Sequence, residues 1–127
     1  MIKKIKQIIK KKNKSKIVSL TAYSKNIAKI LDKYCDIVLV GDSMANVLYG
    51  MDSTHKITLQ TIIQHTKSVK KGIKKSLFIV DMPKNSYKTV KQAIKNAKTI
   101  IKKTGCDGVK VENNFSNLKI IESMCKS

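Results

Sequence analysis

The sequence predicts an α/β fold built from parallel βα repeats. Three observations carry that expectation. Short apolar runs alternate with amphipathic helical stretches from residue 16 onward. Those runs are continuous in hydrophobicity, as in strands covered by helices in a parallel sheet. Helical stretches are bounded by capping or stop residues. The 127 residues give room for one core and about four such units, whereas a closed barrel of eight takes about 250 residues. The pattern alone therefore leaves a small open α/β domain or half of a barrel.

The elements follow in order. Within residues 1–15, Ile2, Ile5, Ile8 and Ile9 recur at helical spacing among lysines. That spacing predicts an N-terminal amphipathic helix docked on the rest, with an anionic membrane surface as the alternative site. The βα repeats then occupy residues 16–127. A strand is expected over 16–21. A helix is expected over 24–34, capped by Ser24, with Ile27, Ala28, Ile30 and Leu31 on its apolar face. The second strand is 36–40, followed by a loop over 41–56. A helix runs from Thr58 to about Lys71 and is ended by Gly72. The third strand is 76–80, and the next helix, 88–103, is stopped by Gly105. A fourth strand is expected over 108–111 and a fourth helix over 116–124.

The formal charge of +19 first suggests a nucleic-acid binder. However, all 27 basic residues are lysine, there is no tryptophan, and aromatics are 5%. Nucleic-acid readers favour the planar arginine fork and aromatic stacking platforms, so specific nucleic-acid binding is not expected. Lysine, isoleucine and asparagine together make 53 of the 127 residues. These three share A- and T-rich codons, which explains the charge as compositional drift. No apolar run approaches the roughly 20 residues needed for a membrane span. The start lacks the apolar core of a secretory signal. Cys35, Cys106 and Cys125 are odd in number and unpaired in spacing, as expected of reduced thiols in a cytoplasmic protein.

The chemistry is carried by the acidic minority. Three of only eight acids, Asp42, Asp81 and Glu112, directly follow strand ends. Right-handed crossovers bring the C-terminal ends of parallel strands to one edge, where α/β folds place their sites. Three carboxylates there call for a cation or a shared proton, and hard oxygen donors favour Mg²⁺. The competing role is capping of the helices that follow. Lys110 shares a strand face with Glu112 and needs a partner, for which a substrate carboxylate is a candidate. Ser43 lacks a GxSxG setting and is expected to bind a ligand or cap a helix. His65 is read as structural, and His55 has no assigned role.

The order and spacing of Val40-Gly-Asp-Ser43, Gly50-Met-Asp-Ser-Thr54, Asp81-Met-Pro83 and Val109-Lys-Val-Glu112 resemble the ketopantoate hydroxymethyltransferase family. Thr21-Ala-Tyr23, His65-Thr66 with Val69 and Gly72, and Ser86-Tyr87 add to the likeness. The resemblance covers about residues 16 to 124. It implies a (βα)8 TIM barrel, of which residues 16–127 would form about half. It also implies transfer of a hydroxymethyl group from 5,10-methylenetetrahydrofolate to 3-methyl-2-oxobutanoate, giving 2-dehydropantoate in pantothenate biosynthesis through a Mg²⁺-stabilised enolate. By the same likeness Asp42, Asp81 and Glu112 are metal ligands, and Asp42, Ser43, Asp81 and Lys110 hold the keto acid. The family's general base matches no residue of this chain, Glu122 included. The isolated chain is therefore expected to show little transferase activity. A homo-oligomer and a separate C-terminal half are its expected partners. An inactive remnant or structural partner of the family, or a basic polyanion-binding module, is the alternative. The sequence departs from the family pattern at Ser24, Ala45, Asn46, Lys71, Lys84, Asn113 and Asn114.

Overall fold

The structure, a computed structural model, describes residues 2–127. Strands β1 (Ser19–Thr21), β2 (Ile37–Val40), β3 (Leu77–Asp81) and β4 (Gly108–Lys110) form one parallel sheet in the order β1-β2-β3-β4. That order never reverses. Doubly wound sheets reverse at a switch point, whereas successive units of a (βα)8 barrel do not. Helix α1 (Ile2–Lys11) precedes the sheet. Helices α2 (Lys25–Leu31), α3 (Met44–Tyr49) and α4 (Leu59–Lys70) lie between β1 and β3. Helix α5 (Val90–Thr104) joins β3 to β4, and α6 (Leu118–Cys125) follows.

The helices cover one face of the sheet. Val38, Val40, Phe78 and Val80 point to that face and are fully buried. Ile62, Ile63 and Val69 of α4 and Ala93, Ala97 and Ile100 of α5 complete the same core. The alternate residues Ile37, Leu39, Leu77 and Ile79 face the other side and are only half-buried. The continuous apolar runs thus reflect one dry face and one partly open one.

Local chemistry sets the helix boundaries. Ser24, Thr58 and Thr89 have extended backbones, and their hydroxyls accept the N–H groups of Ile27, Thr61 and Gln92. Gly105 (φ +67°) stops α5 in the left-handed conformation. Gly72 acts differently from the expected left-handed stop. A Cβ there would lie 2.5 Å from the Lys25 carbonyl oxygen, so Gly72 permits close approach to α2.

Two further expectations change. The stretch 41–56 is not a plain loop but contains α3 and a 3₁₀ turn at Thr54–Lys56. Met44 and Ala45 are fully buried, which anchors this short helix, and Gly50 (φ +61°) ends it. Helix α2 ends at Leu31 rather than 34, with Asp32 as its C-terminal cap, whose carboxylate accepts backbone N–H groups from Lys74, Lys75 and Ser76 at 2.9–3.1 Å.

Helix α1 docks at the edge where strands begin. Lys4 Nζ donates to Asp107 and to the Ser76 carbonyl, both at 2.9 Å, and Lys11 pairs with Asp36 at 2.6 Å. Ile9 stays 63% exposed, so lysines rather than the apolar stripe fix this helix. Among the described residues no helix is long and apolar enough to cross a membrane.

Candidate functional site

All four strands end on one edge, and the residues after them converge there. Asp81, the last residue of β3, is in register with Lys110, the last of β4. The Met82 N–H bonds the Lys110 carbonyl at 2.9 Å and extends the ladder past the strand end. Across this pair Lys110 Nζ donates to Asp81 Oδ1 at 2.6 Å. Asp81 is almost fully buried, whereas the Lys110 side chain is 46% exposed. The ammonium thus has one side on Asp81 and one side open.

Asp42 joins them from the end of β2, where its backbone N–H donates to the Asp81 carboxylate. Burial pushes the Asp81 carboxyl above its ordinary range, and the nearby Asp42 charge adds to this. Lys110 pulls it down without cancelling the rise. For Lys110, burial would lower the ammonium. The Asp81 bond and the charges of Asp81, Glu112 and Asp42 outweigh this and raise it. Both groups are thus raised, Asp81 through burial first and Lys110 through the acids around it.

Glu112 lies beside this pair rather than within it. Its side chain is exposed, and its carbonyl accepts Asn117 Nδ2 at 2.8 Å. Its charge still reaches Lys110 and Tyr87. Among the described residues no three His, Cys, Asp or Glu side chains stand close enough to hold a metal ion. The structure thus brings Asp42, Asp81 and Lys110 together and leaves Glu112 at the rim. None of the three carboxylates caps a following helix. Thr89 caps α5, and Asn114 and Asn117 form a reciprocal capping box ahead of α6.

Ser43 completes the edge. It precedes α3 but does not cap it; its hydroxyl lies 2.7 Å from Tyr23 Oη. A Cβ on Gly41 would fall 2.7 Å from Ser43 Oγ and 3.7 Å from Asp81 Oδ2. The missing side chain of Gly41 therefore leaves a small space that both groups border.

Several contributors were not assigned from sequence. Tyr23 was visible only as part of Thr21-Ala-Tyr23. Buried Tyr87 hydrogen-bonds the Glu112 backbone, and burial raises its phenol. His65 bonds Tyr49 Oη through Nε2 at 2.7 Å, and its Nδ1 lies 3.4 Å from the Tyr23 carbonyl, in keeping with a structural role. His55 Nε2 accepts from Lys84 Nζ at 3.0 Å on the rim. Cys35 and Cys106 are buried free thiols, and burial raises both above the ordinary thiol range, away from nucleophilic use.

A family model described as ketopantoate hydroxymethyltransferase matches residues 2–127. The chain belongs to the ketopantoate hydroxymethyltransferase family. It is 57% identical over its whole length to a 3-methyl-2-oxobutanoate hydroxymethyltransferase of Pelagibacter ubique, covering 49% of that protein. It is 52% identical over 84% of its length to the Rhizobium rhizogenes enzyme of that name, and 49% identical over 88% to that of Anaplasma marginale. These matches cover 39% and 40% of the two relatives. The chain spans about half the length of the curated relatives it matches or less.

Several departures from the ketopantoate hydroxymethyltransferase pattern have local explanations. Ser24 caps α2 with its hydroxyl, a service an aspartate also gives. Asn114 opens the capping box ahead of α6. Lys71 is the exposed C-terminal cap of α4, where a cation suits the helix dipole. The donor chemistry of the edge can be set against that of a hard divalent cation. Mg²⁺ commonly takes one or two carboxylates and completes its shell with water and an anionic ligand. Asp42 and Asp81 are two carboxylates placed side by side at this edge.

Proposed function

We propose that this chain carries the substrate- and metal-holding part of a transferase. In this reading a hydroxymethyl group passes from 5,10-methylenetetrahydrofolate to 3-methyl-2-oxobutanoate, giving 2-dehydropantoate for pantothenate biosynthesis in the cytoplasm. The observation that carries the reading is the Asp81–Lys110 pair with Asp42 against it, on the edge where parallel strands end. Family membership supports the reaction class.

Each residue then has a task. The open side of the Lys110 ammonium receives the keto-acid carboxylate. Ser43 donates a hydrogen bond to the same ligand. Asp42 and Asp81 would hold Mg²⁺, with Glu112 at the rim as the third acid of the site. When bound, Mg²⁺ supplies Lewis-acid polarisation of the 2-oxo group. Asp81 also fixes Lys110 so that the keto acid is presented in one orientation. In this reading none of the residues matched serves as the general base. Glu122 is spoken for by Lys126 on the surface of α6. The four-strand sheet has β1 and β4 as its outer strands, which supports a reading in which further βα units complete a barrel and the protein forms a homo-oligomer.

Calorimetric titration of 3-methyl-2-oxobutanoate into the chain tests this reading. Saturable binding that requires Mg²⁺ and disappears in Asp81→Asn is expected. Binding that ignores Mg²⁺, or none at all, overturns it.

A further inference from the structure

The Tyr23–Ser43 contact is unused by the roles above, and its setting is informative. Ser43 occupies the position where a helix-capping hydroxyl normally serves the first free amides. Here those amides are already satisfied. The Ala45 N–H bonds the Asp42 carbonyl at 3.0 Å, and the Asn46 N–H bonds the Ser43 carbonyl at 3.1 Å. Ser43 has a helical backbone (φ −55°, ψ −11°), which closes these bonds and leaves its side chain with no capping duty. The three serving caps, Ser24, Thr58 and Thr89, are all extended.

The free hydroxyl is held instead by Tyr23 Oη at 2.7 Å. Tyr23 is itself fixed. Its ring packs on the core, and its carbonyl lies 3.4 Å from His65 Nδ1. A carbonyl only accepts, so His65 carries its proton on Nδ1 for this contact. Nε2 is then the acceptor for the Tyr49 hydroxyl at 2.7 Å. Tyr23, just past β1, is thus held at its carbonyl by His65 of α4 and meets Ser43, just ahead of α3, with its phenol. Gly41 removes the side chain that would collide with Ser43 Oγ in this rotamer.

We infer that Tyr23 is a positioning residue: its phenol donates to Ser43 Oγ and fixes the Ser43 proton toward the keto acid beside Asp81 and Lys110. This rests on the keto-acid reading above. If Tyr23 donates, the Ser43 hydroxyl keeps its own proton for a ligand oxygen. Anionic ligands need donors, and a donor held in one rotamer loses less entropy on binding.

The test has two arms, both on the full 127-residue chain. Tyr23→Phe keeps the ring and removes only the hydroxyl. Three-bond couplings to the Ser43 β-protons are expected to report one χ1 rotamer in the unsubstituted chain and averaging in Tyr23→Phe. Mg²⁺-dependent affinity for 3-methyl-2-oxobutanoate is expected to fall about tenfold in Tyr23→Phe and in Ser43→Ala. In the double variant it should fall no further, because both changes remove one device. A single Ser43 rotamer retained in Tyr23→Phe, or affinity losses that add, overturns the inference. If the unsubstituted chain binds no keto acid, the functional reading falls. The rotamer comparison still decides whether Tyr23 fixes Ser43.

Discussion

Lys110 Nζ and Asp81 Oδ1 stand 2.6 Å apart across paired positions of β4 and β3, and only the lysine is open to solvent. A buried carboxylate with a half-exposed cation is a poor stability device but a good receptor, because the exposed side of the charge can still take an anion. Beside it Asp42 adds a second negative charge.

The first prediction follows from that arrangement. Lys110→Met should move two affinities in opposite directions. Mg²⁺ should bind about fivefold more tightly, since one competing cation is gone from Asp42 and Asp81. The keto acid should bind about tenfold more weakly, since its carboxylate loses its partner. Calorimetry with each ligand separately reads both. A fall in both affinities would assign Lys110 a purely structural task.

The opposite edge of the sheet carries the acids that hold the fold. Asp32 accepts three successive backbone N–H groups. Burial works against its charge, but these bonds outweigh burial and hold the carboxyl below its ordinary range. A carboxyl lowered in the folded state contributes its full stability above the unfolded value, about 3.9, and loses it as pH falls through the folded value. Asp32→Ala should therefore cost about 2 kcal/mol at pH 7 and much less near pH 2. Denaturant unfolding at the two pH values measures the difference. Asp36, held down mainly by Lys11, and Asp107, held down against burial by Lys4 and the Phe78 N–H, should steepen the acid transition in the same direction.

Gly72→Ala should destabilise without touching the site. The new Cβ would meet the Lys25 carbonyl oxygen at 2.5 Å and the Lys29 nitrogen at 2.8 Å, both backbone atoms that cannot swing aside. A cost of about 2 kcal/mol is expected, from overpacking between α2 and the end of α4. Thermal unfolding should show it, with Mg²⁺ affinity unchanged.

The repeat was legible because each strand is an apolar run bounded by polar turns, and Ser24 and Thr58 mark the starts of α2 and α4. Common-edge topology made Asp42 and Asp81 legible as neighbours. Glu112 stands exposed at the rim, where its carbonyl accepts from Asn117, a placement set by the turn ahead of α6. Helix α3 was missed because it spans six residues and Ser43 gives it no capping bond. The partner of Lys110 was not legible: the Asp81–Lys110 register exists only once β3 and β4 pair. Asp32, Asp36 and Asp107 were passed over because they lie before strands, and their partners are distant backbone amides and the lysines of α1.

The central claim is that one of these two acidic groups, at the C-terminal strand edge, holds a divalent cation. Mn²⁺ titrated into ¹⁵N-labelled chain tests it most directly, because the bound ion broadens nearby amide resonances. Broadening is expected first at Asp42, Ser43, Met82 and Val111, with Asp36 and Asp107 spared, and it should vanish in Asp81→Asn. Broadening centred on Asp36 and Asp107, or spread evenly over the chain, would contradict the account.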